Sequence, residues 1–291
     1  MSEIRVNAER CDRCGACVAV CRSARVFELG DRAAEVVRPA ECWACGHCVA
    51  VCPVDVVHHS EFPLQECPTI RSLPSYEELV MALRERRSLR VFSDEPVPRE
   101  TVRQLVDVSR WAPSASNRQL VDWIALDDPA QIARLSAEVT KTQGALVPLL
   151  RNRLLRPFLY LALGRENVLE AVEAADDFER LAREHAAGAD PIFYHAPVVL
   201  AAHVPQGADF GREDAVYAAY NLMLAAQGLG LGTCHIGYVN AALERNQRLE
   251  RILGLPQGRR VEVVMALGYP GVEFRRALPR RRMNLTWSPS Q

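Results

Sequence analysis

From Tyr76 onward, amphipathic runs alternate with short apolar ones. Apolar positions at helical spacing predict a helix over Tyr76–Glu85 and another over Pro98–Trp111, the second opening on a proline and charged residues suited to a first turn. Val121–Leu126 reads as a strand, and three helical stretches are predicted between Pro129 and Ala187. Ala196–Val204, bounded by Pro197 and Pro205, reads as a buried strand. A long helix over Arg212–Gln227 then leads into GLGLGTCHIG, and Arg259–Leu267 supplies a further strand ending at Gly268. A sheet enclosed by helices follows, of the α+β or α/β kind, and we take α+β.

The first 65 residues have no such rhythm. Eight of the ten cysteines fall between Cys11 and Cys52, in two blocks, CDRCGACVAVC and CWACGHCVAVC, whose cysteines recur after 31 residues. Each block is C-x2-C-x2-C-x3-C, and the second continues into Pro53. This resembles the bacterial ferredoxins, in which the fourth cysteine of each run ligates the other cluster. The resemblance implies one [4Fe-4S] cluster on Cys11, Cys14, Cys17 and Cys52 and a second on Cys42, Cys45, Cys48 and Cys21. Gly15 and Gly46 stand where backbone must approach a sulfide without a side chain in the way. Arg22 replaces the proline in the first block. A zinc array is the alternative, since paired C-x2-C units also make four-thiolate sites. His47, His58 and His59 are expected in loops or on the surface, and Trp43 either shields a cluster or simply packs. Cys67 lies in a connector, ECPTIRSLPSYEEL, whose Pro68 and Pro74 discourage regular structure. The expected organisation is therefore residues 1–65, a linker over 66–75, and a second domain over 76–291.

Charge removes several classes of function. The net charge is −1, with 7 basic and 9 acidic residues before residue 65, so neither part is a basic nucleic-acid binder. The start, MSEIRVNAERC, lacks the apolar core of a secretory signal. The apolar stretch from Gly144 to Gly164 is interrupted by Arg151, Arg153 and Arg156, too many charges for a membrane span. A cytoplasmic protein is expected, where clustered cysteines favour metal over disulfides.

RRSLRVFSDEPV at 86–97, APSASNRQ at 112–119 and GLGTCHIG at 230–237 together resemble the flavin-binding segments of the nitroreductase family, and ALGYP at 266–270 and LPRRR at 278–282 follow in the family's order. The whole is similar to ferredoxin–nitroreductase fusions: an N-terminal bacterial-type 2[4Fe-4S] ferredoxin domain followed by a nitroreductase-like, FMN-dependent α+β domain. The resemblance implies a homodimer with FMN at its interface. Arg86, Arg87, Ser88 and Arg90 offer guanidinium forks and a hydroxyl to the FMN phosphate, with Arg280 and Arg282 closing from the C-terminal side. Pro113, Ser114, Ala115, Ser116 and Asn117 correspond to the loop that reaches the partner subunit's flavin. Cys234, His235, Ile236 and Gly237 correspond to the chain along the isoalloxazine edge, where backbone N–H groups stabilise charge on the reduced ring. The bland readings stay open: a solvated face for the arginines, a small buried hydrophobe for Cys234, a packing histidine for His235. Gly228, Gly230 and Gly232 lack the G-x-G-x-x-G spacing and follow a helix, so they form no Rossmann loop. The 144–187 region is a substrate lid, a dimer contact or a membrane-surface helix.

The expected function is reduction of a small organic acceptor (nitro, quinone, ene or flavin type) by hydride transfer from FMN N5. Single electrons would arrive through the clusters from a ferredoxin-like low-potential carrier, or the electrons would come from NAD(P)H. A dehydrogenase exporting electrons through the clusters and a non-catalytic carrier or interaction module are the rivals. No acid–base residue stands out.

Overall fold

The computed structural model describes residues 2–70, 72–152 and 154–288, and the chain divides into two units. The first comprises Met1–Pro74 together with Ser114–Gln119; the second comprises Ser75–Pro113 and Leu120–Gln291.

In the first unit the elements run β1 (Ile4–Val6), α1 (Ala16–Val20), β2 (Phe27–Leu29), β3 (Ala34–Val36), α2 (His47–Ala50) and β4 (Val57–His59). β1 pairs with β4 and β2 with β3, both antiparallel, so each half of the duplication contributes one short helix. The core is small. Ile4, Val26, Phe27, Val49 and Val57 pack with Cys17 and Cys48. At this size a core seldom suffices alone, and metal is a usual supplement.

The second unit runs α3 (Tyr76–Glu85), α4 (Arg99–Ser109), β5 (Asp122–Leu126), α5 (Pro129–Gly144), α6 (Val147–Arg151), α7 (Arg156–Leu163), α8 (Arg165–Ala186), β6 (Val198–Pro205), α9 (Gly211–Gly228), β7 (Gly232–His235), α10 (Gly237–Leu243), α11 (Arg248–Leu253) and β8 (Arg259–Gly268). The four strands form an antiparallel sheet in the order β5-β6-β8-β7. Strand alternation splits the core between its faces. Val199, Ala201, Val264 and Ala266 face Leu135, Val139 and Leu181 of α5 and α8. Val198, Leu200, Val263 and Met265 face Leu105 of α4 and Ala215, Ala219 and Leu222 of α9. This is the α+β arrangement expected.

Four helices, not three, occupy 129–187. Pro148 and Pro157, each in a first helical turn, start α6 and α7 separately, so the arginine-punctuated stretch is two short helices. Arg151 binds Asp176 and Glu179 of α8, which ties α6 down. Arg153 and the Arg156 side chain lie outside the described residues. No helix among the described residues is long and apolar enough to cross a membrane.

His203, in β6, is buried, and its Nδ1 accepts from Arg259 Nε at 2.9 Å. Burial first, then the Arg259 charge, hold the imidazole below its usual 6.5. On acidification the unfolded chain takes up this proton first, so stability falls as pH drops below about 6.5 and levels off once the folded imidazole also protonates. In thermal melts across this range, His203→Asn, which keeps an acceptor where Nδ1 stood, flattens the slope.

Candidate functional site

The cysteine blocks fold into matching loops. Gly15 and Gly46 both take φ 72°, and Arg13 and Ala44 also occupy the left-handed region, at φ 57° and 48°. Each glycine caps a short helix, α1 or α2, that carries the third cysteine inward. Cys17 and Cys48 are accordingly buried, Cys14 and Cys45 are exposed, and Cys11, Cys21, Cys42 and Cys52 are half-buried. Backbone N–H groups point at sulfur: Ala44 donates to Cys42 Sγ at 3.3 Å, Val26 to Cys21 Sγ at 3.4 Å and Val56 to Cys52 Sγ at 3.4 Å. These donors suit thiolates rather than thiols.

The electrostatics show which cysteines crowd together. Burial pushes the Cys48 thiol up to about 11, and the like charges of Cys42, Cys45 and Cys21 add to it. Burial likewise raises Cys17, with Cys11 and Cys14 contributing. Cys21 of the first block thus acts on Cys48 of the second. Such a group ionises only against compensating positive charge, which iron supplies. The residues fit two iron–sulfur clusters.

His59 departs from the sequence expectation. His47 and His58 are exposed, but His59 is 4% exposed and stands 3.5 Å, through Nε2, from Cys42 Sγ. The Val57-in, His58-out, His59-in alternation of β4 turns it toward the core. Trp43 is 46% exposed and Cys67 is exposed.

Ser114–Gln119 groups with these loops. Ser116, Asn117 and Gln119 have φ of 51°, 54° and 49°, and the Gln119 N–H closes the turn on Ser114 Oγ at 3.0 Å. Asn117 Nδ2 donates to the Ala44 carbonyl at 2.6 Å, between the first two cysteines of the second block. Within one chain, the segment expected to reach a flavin touches a cysteine loop.

In the second unit two of the expected flavin segments come together. Ser88 bridges Thr233 in parallel, and the Leu89 N–H donates to the Thr233 carbonyl at 2.9 Å. Leu89 is buried and fills the space above Gly232, where an added Cβ would stand 2.5 Å from Leu89 Cδ2. Gly232 therefore serves a close approach between segments. Gly232→Ala should cost roughly 1–3 kcal/mol in chemical denaturation and loosen the Arg86–Arg90 segment.

With Leu89 buried, Ser88 and Arg90 face outward. Burial raises the Cys234 thiol, while Arg90, Ser88 and Arg86 pull it down, so all three border that cysteine. Its sulfur is buried and kept protonated, which suits packing better than nucleophilic attack. Tyr194 adjoins Arg90 and Cys234. Arg90, Phe92, Tyr194 and Tyr238 line a cleft of 770 Å³ together with the acidic Asp94, Glu184 and Asp190, a volume within the usual range for small-molecule sites. Ile236 is buried, while His235 and Gly237 are exposed. Arg86, Ser88 and Arg90 are a donor set of the kind a flavin phosphate takes.

The remaining arginines are placed differently. Arg87 donates to the carbonyls of Arg84 at 2.7 Å, Arg86 at 3.2 Å and Arg276 at 3.2 Å, fastening the C-terminal segment. Arg280 and Arg282 are exposed on that segment and make no hydrogen bond or ion pair among the described residues.

Residues 83–269 match the model of the nitroreductase family, and residues 3–53 match that of the 4Fe-4S dicluster domain. A putative NADH dehydrogenase/NAD(P)H nitroreductase of Archaeoglobus fulgidus is 27% identical over 194 residues, which span 67% of this chain and 86% of the relative. The chloronitrobenzene nitroreductase of Comamonas testosteroni is 29% identical over 198 residues, 64% of this chain and 84% of the relative. Among solved structures, a nitroreductase with bound FMN from Bacteroides fragilis superposes with a TM-score of 0.55 at 17% identity, covering 72% of this chain and 99% of its own. An iodotyrosine deiodinase bound to FMN and 3-iodo-L-tyrosine gives 0.53 at 20% identity, covering 72% and 99%. With the family model spanning more than half of its length, the chain belongs to the nitroreductase family and carries a 4Fe-4S dicluster domain ahead of the family's fold.

Proposed function

We propose that the protein is an FMN-dependent oxidoreductase that takes single electrons into two [4Fe-4S] clusters and delivers them to a small organic acceptor. The grouping of Arg86, Ser88 and Arg90 around Cys234, with Arg90 also lining the 770 Å³ cleft, carries this reading. When bound, the clusters supply one-electron transfer and FMN supplies hydride transfer at N5. The relatives' names, an NADH dehydrogenase/NAD(P)H nitroreductase and a chloronitrobenzene nitroreductase, favour a nitro acceptor, with quinone, ene and flavin acceptors as the other candidates.

The chain's residues bind and orient. Arg86, Ser88 and Arg90 hold the phosphate by charge-assisted hydrogen bonds. The Ile236 N–H is committed to the Val264 carbonyl at 2.8 Å, which leaves the backbone N–H groups of His235 and Gly237 for the ring edge, where reduction builds negative charge. The cysteines of each set, Cys11, Cys14, Cys17 and Cys52, and Cys42, Cys45, Cys48 and Cys21, hold the irons. Cys21 acting on Cys48 supports that exchange of fourth ligands.

A homodimer completes the site. Val216, Tyr217 and Tyr220 of α9 are 45%, 52% and 40% exposed, and Met283, Leu285 and Trp287 of the C-terminal segment are 93%, 73% and 82% exposed. A second copy covering these apolar groups would bring Pro113–Asn117 to the partner's flavin, with Arg280 and Arg282 closing on the phosphate from the C-terminal side. α7 and the turn before it expose Leu154, Phe158 and Leu161, which serve as a lid over the acceptor or extend the dimer contact. A ferredoxin-like carrier is the electron donor, with NAD(P)H the second candidate, and the protein works in the cytoplasm.

Anaerobically purified protein tests this directly. Bound FMN, with iron and acid-labile sulfide for two cubanes per chain, supports the reading. Intact clusters without flavin reject the enzyme, and zinc in place of iron rejects the electron path.

A further inference from the structure

His59 ends β4 with its ring in the core of the first unit, 4% exposed. Two contacts determine which nitrogen bears hydrogen. Nδ1 accepts the Glu61 backbone N–H at 3.1 Å, so the neutral ring is protonated on Nε2, and Nε2 stands 3.5 Å from Cys42 Sγ. The ring N–H therefore donates to the sulfur. Phe62 packs against the imidazole with centroids 5.0 Å apart, and its own ring lies over Gly46, so the histidine is held in place.

Among the described residues, the other half of the duplication has no such side-chain donor. Val26 and Val56 make the same backbone bond to Cys21 and Cys52, which aligns β2 with β4 and puts Leu29 where His59 stands. Leu29 has no polar atom in its side chain and is 48% exposed.

We propose that His59 is a positioning residue that raises the reduction potential of the cluster ligated by Cys42 above that of its duplicate, so that this cluster is reduced first. The proposal rests on Cys42 being a ligand of the second cluster, as proposed above. Reduction adds negative charge that is shared with the thiolates, and a hydrogen bond to a ligand sulfur strengthens as that charge grows; cluster potentials respond to such bonds. The step is uptake of one electron from the external low-potential carrier. No covalent bond forms or breaks, and the hydrogen stays on Nε2. A single charge-assisted bond to a weak sulfur acceptor is worth about tenfold in the reduced-to-oxidised ratio, which for a one-electron couple is about 59 mV.

Potentiometric titration of the full-length, anaerobically purified protein, followed by electron paramagnetic resonance, tests this in wild type, His59→Leu and His59→Gln. Leucine copies the other half, and glutamine places an amide N–H where Nε2 was. The wild type should show two waves. In His59→Leu the higher wave should fall by about tenfold in ratio while the other stays, and His59→Gln should recover most of the shift. Unchanged waves in His59→Leu, or equal shifts in both variants, overturn the proposal, the second because it would report solvent entry rather than loss of a donor. Iron and sulfide are measured on the same samples: a wild type lacking the full complement contradicts the ligand assignment instead. If His59→Leu does not assemble, pulsed resonance on protein labelled with nitrogen-15 histidine decides. A histidine coupling to the reduced cluster that disappears in His59→Gln supports the bond, and its absence in wild type overturns it.

Discussion

Replacing Cys48 with alanine should remove one cubane, leaving the protein with about half its iron and sulfide, while the flavin stays bound. Cys48 is buried in the core of the first unit, and its thiol is pushed up to about 11 by burial and by the charges of Cys42, Cys45 and Cys21. Only a cluster makes a thiolate tolerable there, so the loss of this ligand is not made good by a neighbour. Reduction of the flavin by a low-potential one-electron donor should slow by more than the roughly 10–100-fold that loss of an outer-shell partner costs a metal site. Photochemical reduction, which bypasses the clusters, should still give a flavin that turns over with acceptor. Stopped-flow absorbance at flavin wavelengths with the two reductants checks both halves. Slowing with both reductants would mean that the substitution had damaged the flavin site instead.

The second large effect is expected at Arg90. Its guanidinium lines the 770 Å³ cleft and acts on both Cys234 and Tyr194, whereas Arg87 is committed to the carbonyls of Arg84, Arg86 and Arg276. Arg90→Ala removes a charged donor without emptying any part of the core. A hydrogen bond to a charged group is worth about 1.5–3 kcal/mol, so FMN affinity should weaken roughly 10- to 100-fold. Titration of the apoprotein by flavin fluorescence quenching reads this, with iron content unchanged. Arg87→Ala should act differently, loosening the C-terminal segment and costing thermal stability before it costs affinity.

What the sequence made legible depended on how local the cause was. The cysteine loops were legible because ligand spacing and the left-handed Gly15 and Gly46 are set within a few residues. The sheet was legible because β6 and β8 contain the apolar runs Val198–Ala202 and Val263–Leu267. Gly232 was set apart from a dinucleotide loop by its spacing and by the helix before it, but its reason, the close approach of Leu89, is a contact across more than a hundred residues. His59 was hidden for the same reason. A three-residue strand has no periodicity to read, and its inward face is fixed by pairing with Ile4 in β1. The division of 144–164 into α6 and α7 followed from Pro148 and Pro157, signals present in the sequence but outweighed by the continuous apolar content. The grouping of Ser114–Gln119 with the cysteine loops rests on contacts such as Asn117 with Ala44, which no local pattern encodes.

Electrons are expected to reach the acceptor through the clusters and then the flavin within one protein. Anaerobic mixing of the oxidised protein with a reduced low-potential ferredoxin, monitored separately at cluster and flavin wavelengths and followed by addition of a nitroaromatic or quinone, tests this route most directly. The clusters should bleach first, the flavin should follow, and the acceptor should reoxidise both. Flavin reduction at an undiminished rate in the Cys48→Ala protein, or clusters that stay reduced when acceptor is added, would contradict this route.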